Sequence, residues 1–399
     1  MPFAAALSTA TTTAAALDEV CIQAGAALGA RADLAVVFFS RHHARHAADI
    51  AAAIQQRLRP DAVFGCIAES VIGNEHEIEG RPALSLWLAK WARPVAIHPF
   101  HLTPERTADG PSLMGWPDAL LAAGDSTPHE PNAVRRCAVL LLGDPFTFPT
   151  DQFLARLGED VPNVPVLGGM ASGTNGAGDC RLILGGQVLD QGAIGLFLEG
   201  EIGLRSIVSQ GCRPIGRHMV VTRAEENVIL ELSGRTPFDQ LRDLWAELPA
   251  SDQRLIQNGL HIGRVLNEYQ SEFQRGDFLI RNVMGLEKQS GALIITDQVR
   301  VGQTVQFQVR DAASADEDLH ALLRADVSAH PRRPAAALVF SCNGRGTRLF
   351  STPDHDASAI RQEAGLIPVA GFFAQGELGP VGGENFIHGF TASVALFEE

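Results

Sequence analysis

The chain has 399 residues and a net charge of −14, and 46% of its residues are apolar while 20% are charged. This is the composition of an ordinary globular protein, and the length favours two domains with ample hydrophobic cores over one. Because the chain is acidic and has no basic stripe to meet phosphates, we expect neither nucleic-acid binding nor attachment to an anionic membrane surface.

The cysteines and the N-terminus indicate a cytoplasmic protein. No C-x-x-C pair occurs, which predicts no zinc-finger or thioredoxin-type site and suits a reducing compartment. The N-terminal segment lacks the positive region of a signal peptide, and no apolar run reaches membrane-spanning length. We predict instead that residues 1–30 form a helix packed on the first repeat unit. The cysteines are Cys21, Cys66, Cys137, Cys180, Cys212 and Cys342.

A glycine pattern, G-x-x-A-x-[GS]-x-x-G, occurs three times, starting at Gly65, Gly168 and Gly371. Each copy follows a strand-like run, a polar loop and a helical segment, and each precedes another apolar run. The chain therefore contains three units of the order strand, loop, helix, strand, glycine loop, strand. The first strands are residues 34–39, 138–142 and 336–340, and the helices are residues 45–58, 151–157 and 355–363.

This repeat predicts an α/β fold with mixed β-sheets and flanking helices, built from three β-α-β-β units. The first two strands of each unit form a right-handed parallel crossover, so the loop after the first strand lies at a carboxyl edge, where open α/β sheets bind ligands. The glycines also have a purely architectural explanation, because they allow tight bends between strands. For the first two copies the two interpretations have equal weight.

A second lobe begins where the repeat pattern stops, near Ser209. We place the domain boundary near residue 205, with two repeat units in residues 1–205 and the third in a strand-rich lobe, residues 206–399. Helices are predicted at residues 237–247 and 316–326. The strand-like runs are residues 218–222, 227–231, 262–266, 278–283, 292–295 and 304–309.

The loop after the first strand of the third unit is the strongest candidate for a ligand site. It reads Cys342-Asn343-Gly344-Arg345-Gly346. Its two glycines allow backbone N–H groups to form an anion-binding nest, and the arginine offers a planar fork for a carboxylate or phosphate. The amide both donates and accepts hydrogen bonds, and the thiol adds a polarisable group. The alternative is a glycine-rich bend with a solvated arginine.

The third glycine loop supplies Gly376 and Glu377, which we include in the same site. An acid here can bind an amine or pair with Arg345, and such a pair suits a zwitterion. A structural salt bridge between the two loops is the equally weighted alternative. Glu384, outside the repeat pattern, is predicted to be a solvated loop acid.

His388 is included in the site as a general base, a haem ligand or, most simply, a hydrogen bonder that fixes its loop. A nucleophilic pair of Cys342 and His388 is a weaker alternative, because no third orienting group and no G-x-S-x-G elbow is present. Nucleotide-binding fingerprints are absent from the sequence, and no metal site is predicted.

These motifs resemble the FIST family, whose members carry paired N-terminal and C-terminal FIST domains, over nearly the whole chain. The C-terminal match consists of Cys342 to Gly346, PVAGFF from Pro368, GELGP from Gly376 and HGFT from His388. The N-terminal match is looser and consists of Phe64-Gly65-Cys66, Glu77-Ile78-Glu79 and VLGG from Val166.

The resemblance implies a non-enzymatic intracellular sensor that binds a small polar or carboxylate-bearing metabolite, such as an amino acid, without a cofactor. The sequence carries no kinase, methyl-acceptor or cyclase extension, so a separate signalling partner such as a kinase or cyclase is expected. Some family members are similar to haem-binding nitric-oxide sensors, which gives haem as an alternative, with His388, His261 or His76 as axial ligands. A hydrolase or transferase that uses Cys342 as its nucleophile is the other alternative.

Overall fold

The computed structural model describes residues 2–107, 110–123, 137–270, 272–273 and 275–398, and they form a mixed α/β fold, as predicted. Short 3₁₀ helices lie at Arg41–His46 and Gly346–Arg348. The α-helices in this part of the chain are α1 (Thr13–Leu28), α2 (Ala47–Leu58), α3 (Asp118–Ala123), α4 (Thr150–Asp160), α5 (Pro237–Glu247), α6 (Ala250–Asn258), α7 (Ala312–Ala329) and α8 (His355–Ala364).

The strands that begin before residue 209 are β1 (Phe3–Ser8), β2 (Leu34–Ser40), β3 (Ala62–Ala68), β4 (Ser70–Gly73), β5 (His76–Glu79), β6 (Leu84–Ala89), β7 (Val95–Thr107), β8 (Gly110–Met114), β9 (Cys137–Gly143), β10 (Val166–Met170), β11 (Leu182–Leu184), β12 (Gln187–Leu189), β13 (Ala193–Gly200) and β14 (Leu204–Gln210). The later strands are β15 (Cys212–Pro214), β16 (Met219–Glu225), β17 (Val228–Leu232), β18 (Leu260–Val265), β19 (Phe278–Leu286), β20 (Leu293–Ile295), β21 (Thr304–Arg310), β22 (Ala336–Cys342), β23 (Val369–Ala374), β24 (Glu377–Val381), β25 (Glu384–His388) and β26 (Thr391–Phe397).

Three sheets share one arrangement of strands. Each has a parallel pair linked by a helix, an antiparallel strand on one side of the pair and a short hairpin on the other. The strand orders are β1-β6-β2-β3-β11-β12, β8-β7-β13-β9-β10-β24-β25 and β14-β26-β22-β23-β4-β5.

Each hairpin pairs with a sheet built by a different part of the chain. The hairpin β4–β5 follows β3 but pairs with β23, β11–β12 follows β10 but pairs with β3, and β24–β25 follows β23 but pairs with β10. The exchange is cyclic. Residues 319–387 and 391–399 therefore belong to one compact unit with residues 1–208. The first unit thus includes the third sheet, which the sequence places in the second lobe.

The first glycine of each pattern is required by close approach of two parallel strands. A Cβ at this position would lie about 2 Å from a backbone carbonyl oxygen of the neighbouring strand, which no larger residue tolerates without a shift. The distance from this added Cβ to the carbonyl oxygen is 2.0 Å for Gly65 and Val37, 1.8 Å for Gly168 and Leu141, and 2.1 Å for Gly371 and Val339.

The prediction of a helix over residues 1–30 is wrong at its start, because Phe3–Ser8 form strand β1. This strand pairs antiparallel with β6, from Phe3 opposite Ala89 to Ser8 opposite Leu84. The helix begins after Thr12, whose side chain accepts the N–H of Ala15, and it ends at Gly29, which adopts φ = 67°. A cap at each end therefore limits α1 to Thr13–Leu28.

The second compact unit contains residues 209–318 and 388–390. Its antiparallel sheet has the order β15-β21-β16-β17-β20-β19-β18, and the further pairing of β18 with β21 closes it. Val221, Ile262 and Phe307 are buried in its core. The sequence predicted the strands β16 to β21 to within a few residues but missed β15 and α6. In both units, none of the helices that the structure describes is long and apolar enough to cross a membrane.

Candidate functional site

The two loops of the predicted site meet in the first compact unit. Cys342, the last residue of β22, lies opposite Ala374 of β23, and the N–H of Asn343 donates to the Ala374 carbonyl at 2.9 Å. The N–H of Arg345 donates to the Cys342 carbonyl at 2.8 Å, and the N–H of Gly344 approaches the Cys342 Sγ at 3.4 Å. Because these N–H groups bind atoms of the protein, they do not form the anion-binding nest that the glycines suggest.

Arg345 is buried and forms an ion pair with Asp356 of α8, not with Glu377. Its Nε lies 2.9 Å from Asp356 Oδ2 and its Nη2 lies 2.7 Å from Oδ1, while Ser341 donates to Oδ2 at 2.6 Å. Burial alone would raise the pKa of Asp356, but the Arg345 guanidinium and the His355 hydrogen bond hold that pKa below its usual value. Only 1% of Arg345 is exposed. The alternative prediction, a glycine-rich bend with a solvated arginine, is therefore wrong.

Glu377 is a fully buried acid at the start of β24. Its Oε2 accepts hydrogen bonds from the backbone N–H of Thr391 at 3.1 Å and from the Thr391 hydroxyl at 2.8 Å. Burial raises the pKa of Glu377 to about 8, although Thr391, a hydrogen bond with the Cys342 thiol and the charge of Arg345 all act in the opposite direction. The carboxyl group is therefore mostly protonated at neutral pH.

Glu77, which the sequence analysis did not assign to the site, is a second buried acid in the cluster. It reaches the site from β5 of the exchanged hairpin, and its Oε1 accepts the N–H groups of Asp356 at 2.7 Å and Ala357 at 3.0 Å. Burial, followed by the charge of Asp356, raises the pKa of Glu77 to about 8. Its neighbour Glu79 accepts hydrogen bonds from Thr347 in the site loop. The Glu-Ile-Glu motif was the available signal.

Four polar atoms of this cluster lack a hydrogen-bond partner among the nitrogen and oxygen atoms of the described chain. One is a donor and three are acceptors: Arg345 Nη1, Asn343 Oδ1, Glu77 Oε2 and Glu377 Oε1. Buried polar groups without partners are uncommon in folded proteins and are frequently functional. Around them the chain is half-buried at Cys342, Asn343, Gly344 and Gly376, so solvent reaches the rim of the cluster.

Gly346 has a structural reason to be glycine. Its φ is 57°, and an added Cβ would lie 2.7 Å from Glu79 Oε1 and 2.8 Å from Phe373. At the other loop, Gly376 has φ = 134° and its carbonyl accepts the N–H of Met170 at 2.8 Å. Both glycines shape the loops and offer no side chain to a ligand.

Three cavities described elsewhere in the first unit have volumes of about 350, 790 and 570 Å³. The residues that line them do not include any member of the predicted site.

His388 is the predicted site residue that is not grouped with the others. It is buried, and it belongs to the second compact unit together with Gly389 and Phe390. His261 is also buried in the second unit, and burial, followed by the charge of Arg310, lowers its pKa to about 4. His76 is exposed in the first unit, with Nδ1 3.5 Å from Asp354 Oδ2. Glu384 is exposed, as predicted, but it is the first residue of β25 and does not lie in a loop.

Two protein-family models together match nearly the whole chain. A model of the FIST N domain matches residues 33–235, and a model of the FIST C domain matches residues 237–380. The chain belongs to the FIST family. FIST domains are sensory domains of signal transduction.

Two mycobacterial proteins, both described as uncharacterized, are similar to this FIST protein. One from Mycobacterium tuberculosis is 44% identical over 364 residues, which is 91% of each chain. One from Mycobacterium bovis is 42% identical over 369 residues, which is 92% of this chain and 91% of the relative. The similarity therefore extends through both family domains.

Proposed function

We propose that this FIST protein is a non-enzymatic sensor that binds a small metabolite with a carboxylate and an amine, such as an amino acid, at the cluster around Arg345 and Glu377. The observation that carries the proposal is a set of buried polar atoms on Arg345, Asn343 and Glu377 that have no nitrogen or oxygen partner among the described residues, beside the half-exposed rim. The set contains a cationic donor and several acceptors, as a zwitterionic ligand requires.

Arg345 would bind the carboxylate. Asp356 occupies its Nε and Nη2 and fixes the plane of the guanidinium, so Nη1 is left for a further acceptor. A hydrogen bond between two charged groups is stronger than a neutral one, and a guanidinium that is already fixed loses little entropy on binding.

Asn343 and Glu377 would bind the amine. The Oδ1 of Asn343 and the Oε1 of Glu377 both accept, and an ammonium group beside Glu377 would favour its ionised form. Ligand binding would then release a proton near neutral pH, because this acid is largely protonated in the free protein. The cluster thus favours a zwitterion over a simple organic acid.

A thermal-shift panel of amino acids and organic acids tests the proposal. We expect at least one amino acid to raise the melting temperature of the wild type and to lose this effect in Asn343→Ala. The variant removes an unpartnered amide oxygen and keeps the backbone hydrogen bond to Ala374, so its own stability should change little. Gln375→Ala is the matched control, because it removes an exposed amide next to Gly376.

The proposal fails if no compound stabilises the wild type, or if Asn343→Ala responds as strongly as Gln375→Ala. A Soret absorption band in the purified protein would support the haem alternative instead, and His76, His261 and His388 would then be replaced in turn. In the sensor proposal the bound state acts on a separate signalling protein, such as a kinase or cyclase.

A further inference from the structure

A cavity of about 350 Å³ lies in the first compact unit, where β1, α1, the β4–β5 turn and the segment from α8 to β23 meet. Its volume is in the range of small-molecule binding sites. Phe3 and the run Leu366 to Val369 give it a largely apolar wall, and Leu366 is exposed, so this wall continues to the protein surface.

Small residues keep this cavity open. Ala4, Ala5 and Ala27 line it, and so does Gly365, which ends α8 with φ = 93°. An added Cβ at Gly365 would meet no atom within 4 Å, so the space beside it is empty of protein. Water makes few hydrogen bonds with an apolar wall, and the burial of an apolar ligand against it is therefore favourable.

One ion pair gives the cavity a polar end. Arg361 of α8 and Glu75 of the β4–β5 turn both line it, and Arg361 Nη1 contacts Glu75 Oε2. A guanidinium has five N–H donors, so it can bind a second carboxylate beside the first. Arg205 of the same unit does this, because it pairs with Asp326 and Glu398 at once.

We propose that this cavity binds a carboxylic acid with an apolar chain, such as a short fatty acid. The chain would pack against Phe3 and Ile367, and the carboxylate would pair with Arg361. A carboxylate gains hydrogen bonds from the N–H groups of Arg361 that Glu75 does not occupy, whereas an amine would have to compete with Arg361 for Glu75. The site is separate from the Arg345 cluster, since none of its lining residues belongs to that cluster.

Isothermal titration calorimetry of the full-length protein with octanoate tests the proposal. We expect saturable one-to-one binding with a negative change in heat capacity, as apolar burial requires. Hexanoate lacks two of the methylenes and should bind about tenfold more weakly. Octan-1-ol has the same chain without the charge and should also bind roughly tenfold more weakly, because a hydrogen bond to a charged group is stronger than a neutral one.

Two substitutions in the protein separate the apolar wall from the polar end. Ala27→Phe fills the cavity and should weaken octanoate binding by at least about tenfold. Ala26→Phe is the matched control, because it adds the same side chain at an exposed position of α1 that does not line the cavity. Arg361→Gln should reduce the affinity for octanoate to that for octan-1-ol and leave octan-1-ol binding unchanged. This variant removes a partly exposed ion pair, so the fold should be retained, which circular dichroism checks.

Octanoate heats that do not saturate would overturn the proposal, as would equal affinities of Ala27→Phe and Ala26→Phe. Tighter binding of octylamine than of octanoate would assign the polar end to Glu75 and overturn the proposed ligand class. Octanoate binding should be unchanged in Asn343→Ala, and the amino-acid panel measures a different site. The two proposals therefore fail separately.

Discussion

Glu77 Oε1 accepts the backbone N–H of Asp356 at 2.7 Å, and the two residues are 279 positions apart in the sequence. The contact places an acid from the first glycine unit at the N-terminus of α8 in the third. Carboxyl oxygens can accept hydrogen bonds from the free N–H groups at the start of a helix. The hairpin β4–β5 carries Glu77 from the first repeat unit to this helix. The exchanged hairpin therefore helps to build the site.

Replacement of Glu77 tests this dependence. Glu77→Ala leaves the buried N–H groups of Asp356 and Ala357 without their acceptor and should lower the free energy of unfolding by about 1–3 kcal/mol. Glu77→Gln retains an acceptor oxygen and should lose less. Urea unfolding of both variants measures the difference, and equal losses would show that the hydrogen bonds contribute little.

The ion pair of Arg345 and Asp356 should be strongly coupled. Removal of one partner leaves a buried charge uncompensated, so Arg345→Ala or Asp356→Ala alone should destabilise the protein by roughly 3–5 kcal/mol. The double variant should lose less than the sum of the two single losses. A double-mutant cycle from chemical unfolding measures this, and additive losses would contradict the buried pairing.

Local patterns predicted the repeated elements well. The run at residues 34–39 forms β2, Leu34–Ser40, and the segment at residues 355–363 forms α8, His355–Ala364. The meeting of Cys342 with the loop of Glu377 was also foreseeable, because parallel strands end at one edge of a sheet. These features depend on periodicity and chain order, which a single sequence contains.

Long-range pairing was not predictable in the same way. Strand β1 is rich in alanine and has no clear period, and its conformation is decided by pairing with Leu84–Ala89. Asp356 lies in a predicted helix, where an acid is usually solvated, and only the three-dimensional fold places it against Arg345. Glu77 was missed because the Glu-Ile-Glu motif does not reveal that its hairpin pairs with β23 of the third sheet.

The two neutral acids should make the protein less stable as the pH rises. The folded-state pKa values of Glu77 and Glu377 are about 8, above the usual value of 4.5 for glutamate. Such a shift stabilises the fold fully below about pH 4.5, and this stabilisation is lost progressively as the pH approaches 8. We expect urea midpoints to fall from pH 5 to pH 8, with a smaller fall in Glu377→Gln. The exposed Glu384→Gln control should follow the wild type.

The glycine at the start of each repeat pattern should be intolerant of any side chain. In Gly65→Ala the new Cβ would lie 2.0 Å from the Val37 carbonyl oxygen, so β2 and β3 would have to separate. Overpacking of this kind costs about 1–3 kcal/mol or more, and here the contacted atom is backbone. Gly158→Ala is the matched control, because it lies on the exposed side of α4 and its Cβ would meet nothing within 4 Å. That change should stabilise the protein by up to about 1 kcal/mol. Thermal unfolding distinguishes the two, and a neutral Gly65→Ala would show that the strands approach less closely than 2.0 Å implies.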